Sequence, residues 1–367
     1  MRENWTYKKL GEVCEIEYGT RVVQARDGGS IYPVYGGGGA TFMMDTYNRE
    51  NRVVVSRFAM SKKCTRKVIG KFFLNDSGLT IKSKGPLLLQ NYLDTFILSS
   101  NDKIYHLGRG LAQKNLKVPD LLQIDIAIPN AEVQQSIVSE LDKINELISL
   151  KKAQLSDLDA LAQSIFYDMF GDPIENEKGW EKKKYEDICL IITDGEHSTP
   201  KRESNGIFLL SARNIHNHRL ELQDVDYIGE DEYNRVSKRI IPQAKDILIS
   251  CSGSVGRVCS VPDDIKFQMV RSVALLRLKS HMNNVFFEYL ISSDFTQEQI
   301  TKAKTNSAQA NLFQGRIKNL IAIVPPLSLQ QDFAKRIELI EQQKVQISST
   351  IKDLETLLAS RMQYWFD

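Results

Sequence analysis

What this sequence lacks narrows it first. No apolar run approaches the ~20 residues needed to cross a bilayer. The opening Met1-Arg2-Glu3-Asn4-Trp5 holds no apolar stretch of the secretory kind, so a cytoplasmic protein without membrane contact is expected. Cysteine is scarce: Cys14, Cys64, Cys189, Cys251 and Cys259 are odd in number, scattered and without a Cys-x-x-Cys pair, and the five histidines are not spaced as metal ligands. That pattern speaks against a disulfide framework or a zinc site and for reduced structural thiols.

Signatures of several enzyme classes are missing too. A phosphate loop of the form G-x-x-x-x-G-K-[ST] does not occur; Gly253 to Arg257 has the wrong spacing and no lysine. Val324-Pro325-Pro326-Leu327 fails at both flanks as an amino-methyltransferase motif, and no G-x-S-x-G elbow exists. Pro262-Asp263-Asp264-Ile265-Lys266 resembles part of a nuclease carboxylate cluster, but the usual separation of its first acid is absent. A surface turn is the better reading, and no catalytic residue or metal site is assigned.

What is present is an ordinary globular composition, 42% hydrophobic and 26% charged over 367 residues, enough for two or three domains. Charge is unevenly spread. Residues 1–130 carry 19 Lys/Arg against 12 Asp/Glu, and residues 131–175 carry 3 against 9. A basic block beside an acidic one points to one polyanion-facing surface and a different partner surface.

An internal repeat organises the chain. Ala112-Gln113-Lys114-Asn115-Leu116 recurs as Ala308-Gln309-Ala310-Asn311-Leu312, an offset of 196 that also carries Ile128-Pro129 onto Val324-Pro325, Gln134-Gln135 onto Gln330-Gln331, and Phe170 onto Phe366. A second echo maps Trp5, Lys8-Lys9 and Cys14 onto Trp180, Lys183-Lys184 and Cys189 at an offset of 175. Similar ends imply a shared scaffold; divergent middles imply two different recognition tasks.

The similar ends read as long helices. No Pro or Gly interrupts Ala131 to Phe170, and Ile137, Leu141, Ile144, Ile148, Leu155, Leu158, Ala162, Ile165 and Met169 follow a heptad seam, with Lys151 in the polar slot. Phe333, Ile337, Ile340, Ile347, Ile351, Leu354, Leu358 and Trp365 form the second seam, broken by Lys344 and Arg361. Ser328 to Gln331 reads as a capping box. About 40 residues at 1.5 Å each give about 60 Å, too long for a helix inside one compact domain. The pattern predicts an α+β protein with an antiparallel coiled coil and a pseudo-twofold internal repeat: globular domains at 1–130 and 180–326, helices at 131–170 and 327–367, and a linker at 171–179.

The densest basic window, Arg52 to Lys71, holds Arg57, Lys62, Lys63, Arg66 and Lys67 with no acid between Asn51 and Asn75. Such a stretch can neutralise phosphates and place arginine at base edges. It sits beside Gly36–Gly39, a run that lets backbone approach a phosphate. The second half offers Thr193-Asp194-Gly195-Glu196-His197-Ser198-Thr199-Pro200-Lys201, Ser211-Ala212-Arg213-Asn214, Ser252-Gly253-Ser254-Val255-Gly256-Arg257, and Arg271. Arginine and asparagine are the residues that pair bidentately with guanine and adenine.

In order and in duplicate, these elements resemble the specificity subunit of type I restriction-modification systems. The resemblance rests on Tyr32-Pro33-Val34-Tyr35-Gly36, Val55-Ser56-Arg57, Thr193-Asp194-Gly195, Leu210 to Ile215, Asp246 to Ser250 and the two Ala-Gln-x-Asn-Leu segments. It implies two target recognition domains, each reading one half of a split site in double-stranded DNA, with the helices fixing the gap. It implies two methyltransferase subunits and motor-nuclease restriction subunits as partners. S-adenosylmethionine, ATP and Mg²⁺ would reside on those partners, and this chain would be non-catalytic. Candidate DNA contacts are then Thr20, Arg21, Tyr35, Gly36, Gly37, Ser56, Arg57, Lys62, Lys63, Arg66 and Lys71 in the first domain. In the second they are Thr193, His197, Thr199, Lys201, Arg213, Asn214, Ser252, Ser254, Arg257 and Arg271. A related type II specificity subunit, a DNA-cleaving enzyme in its own right, and a coiled-coil scaffold without a nucleic-acid role stay open at this point.

Overall fold

The computed structural model describes residues 4–111, 113–304 and 311–366; Ala112 and Ala308-Gln309-Ala310 of the repeated motif lie outside them. The chain divides into two compact units, Met1–Ala153 with Ser348–Asp367, and Gln154–Ile347.

In the first unit a six-stranded sheet runs in the order Cys14–Tyr18, Gly78–Ser83, Arg49–Ser56, Thr65–Leu74, Tyr32–Gly36, Gly39–Met44. Neighbours are antiparallel except Tyr32–Gly36 and Thr65–Leu74, which run parallel. Successive strand side chains face opposite ways. Val53 and Val55 therefore enter one core with Leu79, Ile81, Tyr92 and Phe96, while Val54 enters another with Val68, Phe72 and Leu74. The larger core is closed by helix Gln90–Ser99, by Ile137, Val138 and Leu141 of the first long helix, Ala131–Phe170, and by Leu358, Met362, Trp365 and Phe366 of the second, Leu327–Phe366.

The second unit holds a four-stranded antiparallel sheet, in the order Cys189–Asp194, Val273–Leu278, Ile247–Ser250, Val258–Ser260. Beside it lies a three-stranded one, Asp226–Ile228, Ile207–Leu210, Phe267–Met269. Leu210, Leu248, Phe267, Met269 and Leu275 share their core. An aromatic cluster anchors the end of the first long helix: Phe170 lies 4.6 Å from Phe286 and 5.5 Å from Phe333 between ring centroids.

Each unit pairs its early echo with its late one. Thr6–Lys9 runs antiparallel to Asp125–Ile128 with Thr6 opposite Ile128, and Glu181–Lys184 runs antiparallel to Ile321–Val324 with Glu181 opposite Val324. The two sequence offsets are the two edges of one ribbon, built twice in the same register. The repeated glutamines are equally alike. Gln134 is buried, accepts from the Leu89 N–H at 2.8 Å and donates to the Pro129 carbonyl at 2.8 Å. Gln330 is buried, accepts from the Asn283 N–H at 2.9 Å and donates to the Pro325 carbonyl at 2.8 Å.

Both polar interruptions of the second heptad seam, Arg361 and Lys344, are paired. In the first unit Arg361 bonds Glu140 and Lys152 bonds Glu355 at 2.8 Å, so residue numbers fall along one helix as they rise along the other and the segments run antiparallel. In the second unit Lys344 meets Asp159 at 2.8 Å and Glu341 at 2.7 Å. Two sequence expectations need correction. Towards the end of the first helix the buried face moves from Ile165 and Met169 to Phe166 and Phe170. A straight helix of 3.6 residues per turn drifts about 20° per heptad, and this end enters an aromatic cluster. The capping box at Ser328 is absent, because the helix opens at Leu327 and Pro326 supplies the first carbonyl to Leu329 and Gln330.

The first helix ends without orphan carbonyls. Gly171, at φ +73, donates its N–H to Tyr167; Lys178 Nζ reaches the Asp168 and Met169 carbonyls; and Trp180 Nε1 donates to Phe170 at 2.7 Å. Glycine tolerates the left-handed turn, and the lysine also complements the helix dipole. All five cysteines are buried free thiols. Desolvation pushes Cys14, Cys189 and Cys251 up to about 12 and Cys64 to about 11. Among the described residues no helix is long and apolar enough to cross a membrane.

Candidate nucleic-acid interface

In the first unit the central strand Arg49–Ser56 leaves the sheet through Arg57-Phe58-Ala59-Met60. This loop is held from two sides. Arg57 N–H donates to the Ser77 carbonyl and the Leu116 N–H donates to the Arg57 carbonyl, both at 2.8 Å; Met60 N–H reaches Lys114 at 2.9 Å, and Ala59 N–H reaches Asn115 Oδ1 at 3.1 Å. The second unit repeats the arrangement: Leu312 N–H donates to the Cys251 carbonyl at 2.9 Å and Asn311 bridges to Ser252. The repeated Asn-Leu segment therefore docks on the loop that follows the central strand in each unit.

Thr20, Arg21, Lys62 and Lys63 are exposed and Arg57 is half-exposed. Several other first-domain candidates face inward. Ser56 is fully buried and donates to the Gly37 carbonyl at 2.6 Å, Gly36 and Gly37 are buried, and Tyr35 packs edge-on against Phe72 at 5.5 Å. Arg66 Nη2 donates to the Gly37 carbonyl at 2.7 Å and braces the same turn. The glycine run is thus a hairpin turn seated on the sheet; Gly36 and Gly37 offer no backbone to a phosphate, and Gly38 is its exposed member. Lys71 lies over the Tyr47 ring at 4.6 Å. Six residues of strand at about 3.3 Å each set it about 20 Å from Thr65, so the basic window does not form one patch.

In the second unit the strand end Thr193-Asp194 runs into a braced loop, Gly195 to Lys201. Gly195 is required there, because a Cβ would lie 2.3 Å from the Met269 carbonyl oxygen. Asp194 meets His197 Nε2 at 2.8 Å and also pairs with Arg239. Glu196 accepts from the Ser198 hydroxyl and N–H, which hold its carboxyl below the usual range. Arg235, with help from the Lys201 N–H, holds Glu232 down to about 2. His197, Thr199 and Lys201 are exposed; Thr193 is half-buried, its hydroxyl 3.2 Å from the Asp194 carbonyl. Ser254 and Arg271 are exposed, and Ser252 and Arg257 half-buried.

Asn214 corrects the sequence reading. It is fully buried, accepts from the Ser211 N–H and hydroxyl and donates to the Glu221 and Asp224 carbonyls, so no edge remains for a base. Arg213 pairs with Asp226 at 2.8 Å and lies 3.8 Å from Asp224. Lys266, central to the nuclease-like segment, bonds both oxygens of Glu230 at 2.8 and 2.9 Å. Among the described residues no group of His, Cys, Asp and Glu is placed to hold a metal.

Two organising residues escaped the sequence reading. Ser77 accepts from Arg57 N–H through its carbonyl and from Gly37 N–H through its hydroxyl at 2.9 Å. Ser272 accepts from Cys251 N–H through its carbonyl at 2.7 Å and from Ala212 N–H through its hydroxyl at 3.0 Å. Each immediately precedes a strand, Gly78–Ser83 or Val273–Leu278, next to the central one. Comparison of those two positions is the signal that could have found them.

A family model described as the type I restriction modification DNA specificity domain matches residues 2–160 and 177–356. The type I restriction enzyme MjaIX specificity subunit of Methanocaldococcus jannaschii is 26% identical over 269 residues, 65% of this chain and 60% of that protein. The EcoKI specificity subunit of Escherichia coli K12 is 21% identical over 287 residues, 69% of this chain and 58% of that one. The chain thus spans less than two thirds of either relative. The S subunit of a type I restriction-modification system from M. genitalium superposes with a TM-score of 0.58 at 15% identity, covering 99% of this chain and 96% of that one. A chain from a study of type I R-M complex assembly and conformational transition gives 0.60 at 15% identity, covering 99% and 97%. These two likenesses bear on the fold.

Proposed function

Because this chain belongs to the type I restriction modification DNA specificity family, we propose that it is the subunit that gives such a system its DNA sequence preference. The observation that carries the reading is one loop platform built twice with different surfaces. In both units a buried serine ends the central strand, Ser56 or Ser250, and an Asn-Leu segment pins the loop that follows. The first unit exposes Lys62, Lys63, Thr20 and Arg21 and half-exposes Arg57. The other presents His197, Thr199, Lys201, Ser254, Arg257 and Arg271. Unlike readers on like frames suit a bipartite site in double-stranded DNA. Phosphate contacts would position the subunit, and base-edge contacts would specify sequence.

The forty-residue helices, about 60 Å long, act in this reading as an antiparallel coiled coil that fixes the gap between half-sites. Half-sites one turn apart are separated by about 34–36 Å. Two adenine methyltransferase subunits and motor-nuclease subunits are the proposed partners, working in the cytoplasm. S-adenosylmethionine, ATP and Mg²⁺ would be held by them, and this chain would catalyse nothing itself. Sequencing the methylated bases of a host expressing the complex tests the reading. A split motif that disappears when this chain is omitted is expected; methylation without sequence preference, or unaffected by the omission, overturns it. A nuclease of its own would nick plasmid in Mg²⁺ and lose that on Lys266→Ala; the pairing of Lys266 with Glu230 speaks against it.

A further inference from the structure

Most arginines placed in the sheet of the first unit and its flanking turns are engaged. Arg49 lies 3.9 Å and Arg52 2.7 Å from Glu17, Arg66 bonds the Gly37 carbonyl, and Arg109 meets Asp120 at 2.6 Å. Arg57 is different. Its backbone is pinned through both N–H and carbonyl, yet its guanidinium makes no hydrogen bond or ion pair among the described residues. Two rings hold it instead: its Cζ lies 5.0 Å from the Tyr18 centroid and 4.7 Å from that of Phe58. Both rings are exposed, Tyr18 at 48% and Phe58 at 41%.

Contact with aromatic faces limits the rotamers of an arginine without using its N–H donors. What is left is a planar fork, partly ordered in advance and directed by a rigid loop. A lysine meeting a phosphate needs no such holder, since a point charge has no plane to orient. A fork that must meet two acceptors at once does, and guanine presents O6 and N7 together in the major groove.

We propose that Arg57 is a specificity-determining residue that reads a guanine in one of the two half-sites, with Tyr18 and Phe58 as its positioning residues. The proposal rests on the DNA-reading function above and deepens it, because it assigns one base to one side chain.

The test uses the complete complex with its methyltransferase subunits, comparing methylated motifs and the binding of duplexes with single-base changes. Arg57→Lys keeps the charge and removes the fork. It should lower discrimination at one G·C pair about ten- to a hundredfold, in one half-site only, with the salt dependence of binding unchanged. Tyr18→Ala with Phe58→Ala should produce the same local relaxation, and Tyr18→Phe with Phe58→Tyr should restore reading, all at an unchanged thermal midpoint. A half-site pair without any G·C, an Arg57→Lys complex that reads the same bases equally well, or a uniform loss across all sequences would each overturn the proposal. If the unaltered complex shows no sequence preference, the specificity reading itself falls. If it is sequence-specific and Arg57→Lys is too, at every position, the role of Arg57 alone falls.

Discussion

Gln134 and Gln330, 196 residues apart, occupy one structural post in duplicate: each buries its amide beneath the start of a long helix and accepts the N–H at the entry to a short helix, Gln90–Ser99 or Asn284–Ser292. Replacing either with alanine leaves a buried donor without its partner, at about 1–3 kcal/mol. Since the two residues belong to different compact units, the costs in the double variant should add to within about 0.5 kcal/mol. Denaturant unfolding of the two single variants and the double variant checks this; a double variant no worse than either single one would contradict it.

Phe170 lies in the aromatic cluster with Phe286 and Phe333 and is 1% exposed. Phe170→Ala should destabilise the second unit by about 3–5 kcal/mol, and Phe170→Leu by much less. Hydrogen exchange should report the loss first in amides of Asn284–Ser292.

Glu140 gives a signed pH dependence. Hydrogen bonds from Arg361, and then from Trp365 Nε1, hold its carboxyl below the ordinary value of 4.5. A lowered native value means the stabilisation is complete above that ordinary value and disappears as pH falls through the lowered one. Glu140→Gln should cost a degree or two in thermal midpoint at pH 7 and nothing measurable at the acid end of the range. A difference that grows towards acid would refute the assignment.

Lys63 is exposed on the first platform. If it faces phosphate, Lys63→Ala should weaken binding of the complex about equally across sequences and reduce the salt slope by about one. Base preference should stay as it was. Titrations at several salt concentrations separate this from the behaviour expected of Arg57→Lys.

Helix length should translate into gap length. Removing seven residues from each long helix shortens the pair by about 10 Å, or about three base pairs at 34–36 Å per 10–10.5 base pairs. Methylome sequencing should show both half-sites intact and the gap reduced; an unchanged gap would remove the helices from that role.

The scaffold was legible in the sequence because its repeated residues do identical work. Gln134 and Gln330 satisfy equivalent N–H groups, the ribbon strands share one register, and Phe170 and Phe366 each close an aromatic contact. Heptad spacing located both long helices but could not foresee the drift to Phe166, which depends on what the helix end meets. Sites were harder to read. Ser56 and Asn214 are polar and sit in suggestive motifs, yet their hydrogen bonds are spent on neighbouring groups of the same unit, and no sequence reveals where a donor points. Tyr18 went unnoticed because it lies 39 residues from Arg57 in the sequence and reaches it only in the fold.

The composition of the first unit has a consequence for biosynthesis. Tyr92 and Phe96 pack against Phe366, at 5.5 and 5.7 Å between ring centroids, and Leu358, Met362 and Trp365 cover the same core. The core around Tyr92 and Phe96 thus waits for residues synthesised more than 200 positions later, while the unit formed by Gln154–Ile347 is continuous along the chain. On the ribosome the order of folding should then run against the order of synthesis. The first unit should keep apolar surface uncovered until the last turns of the second helix arrive.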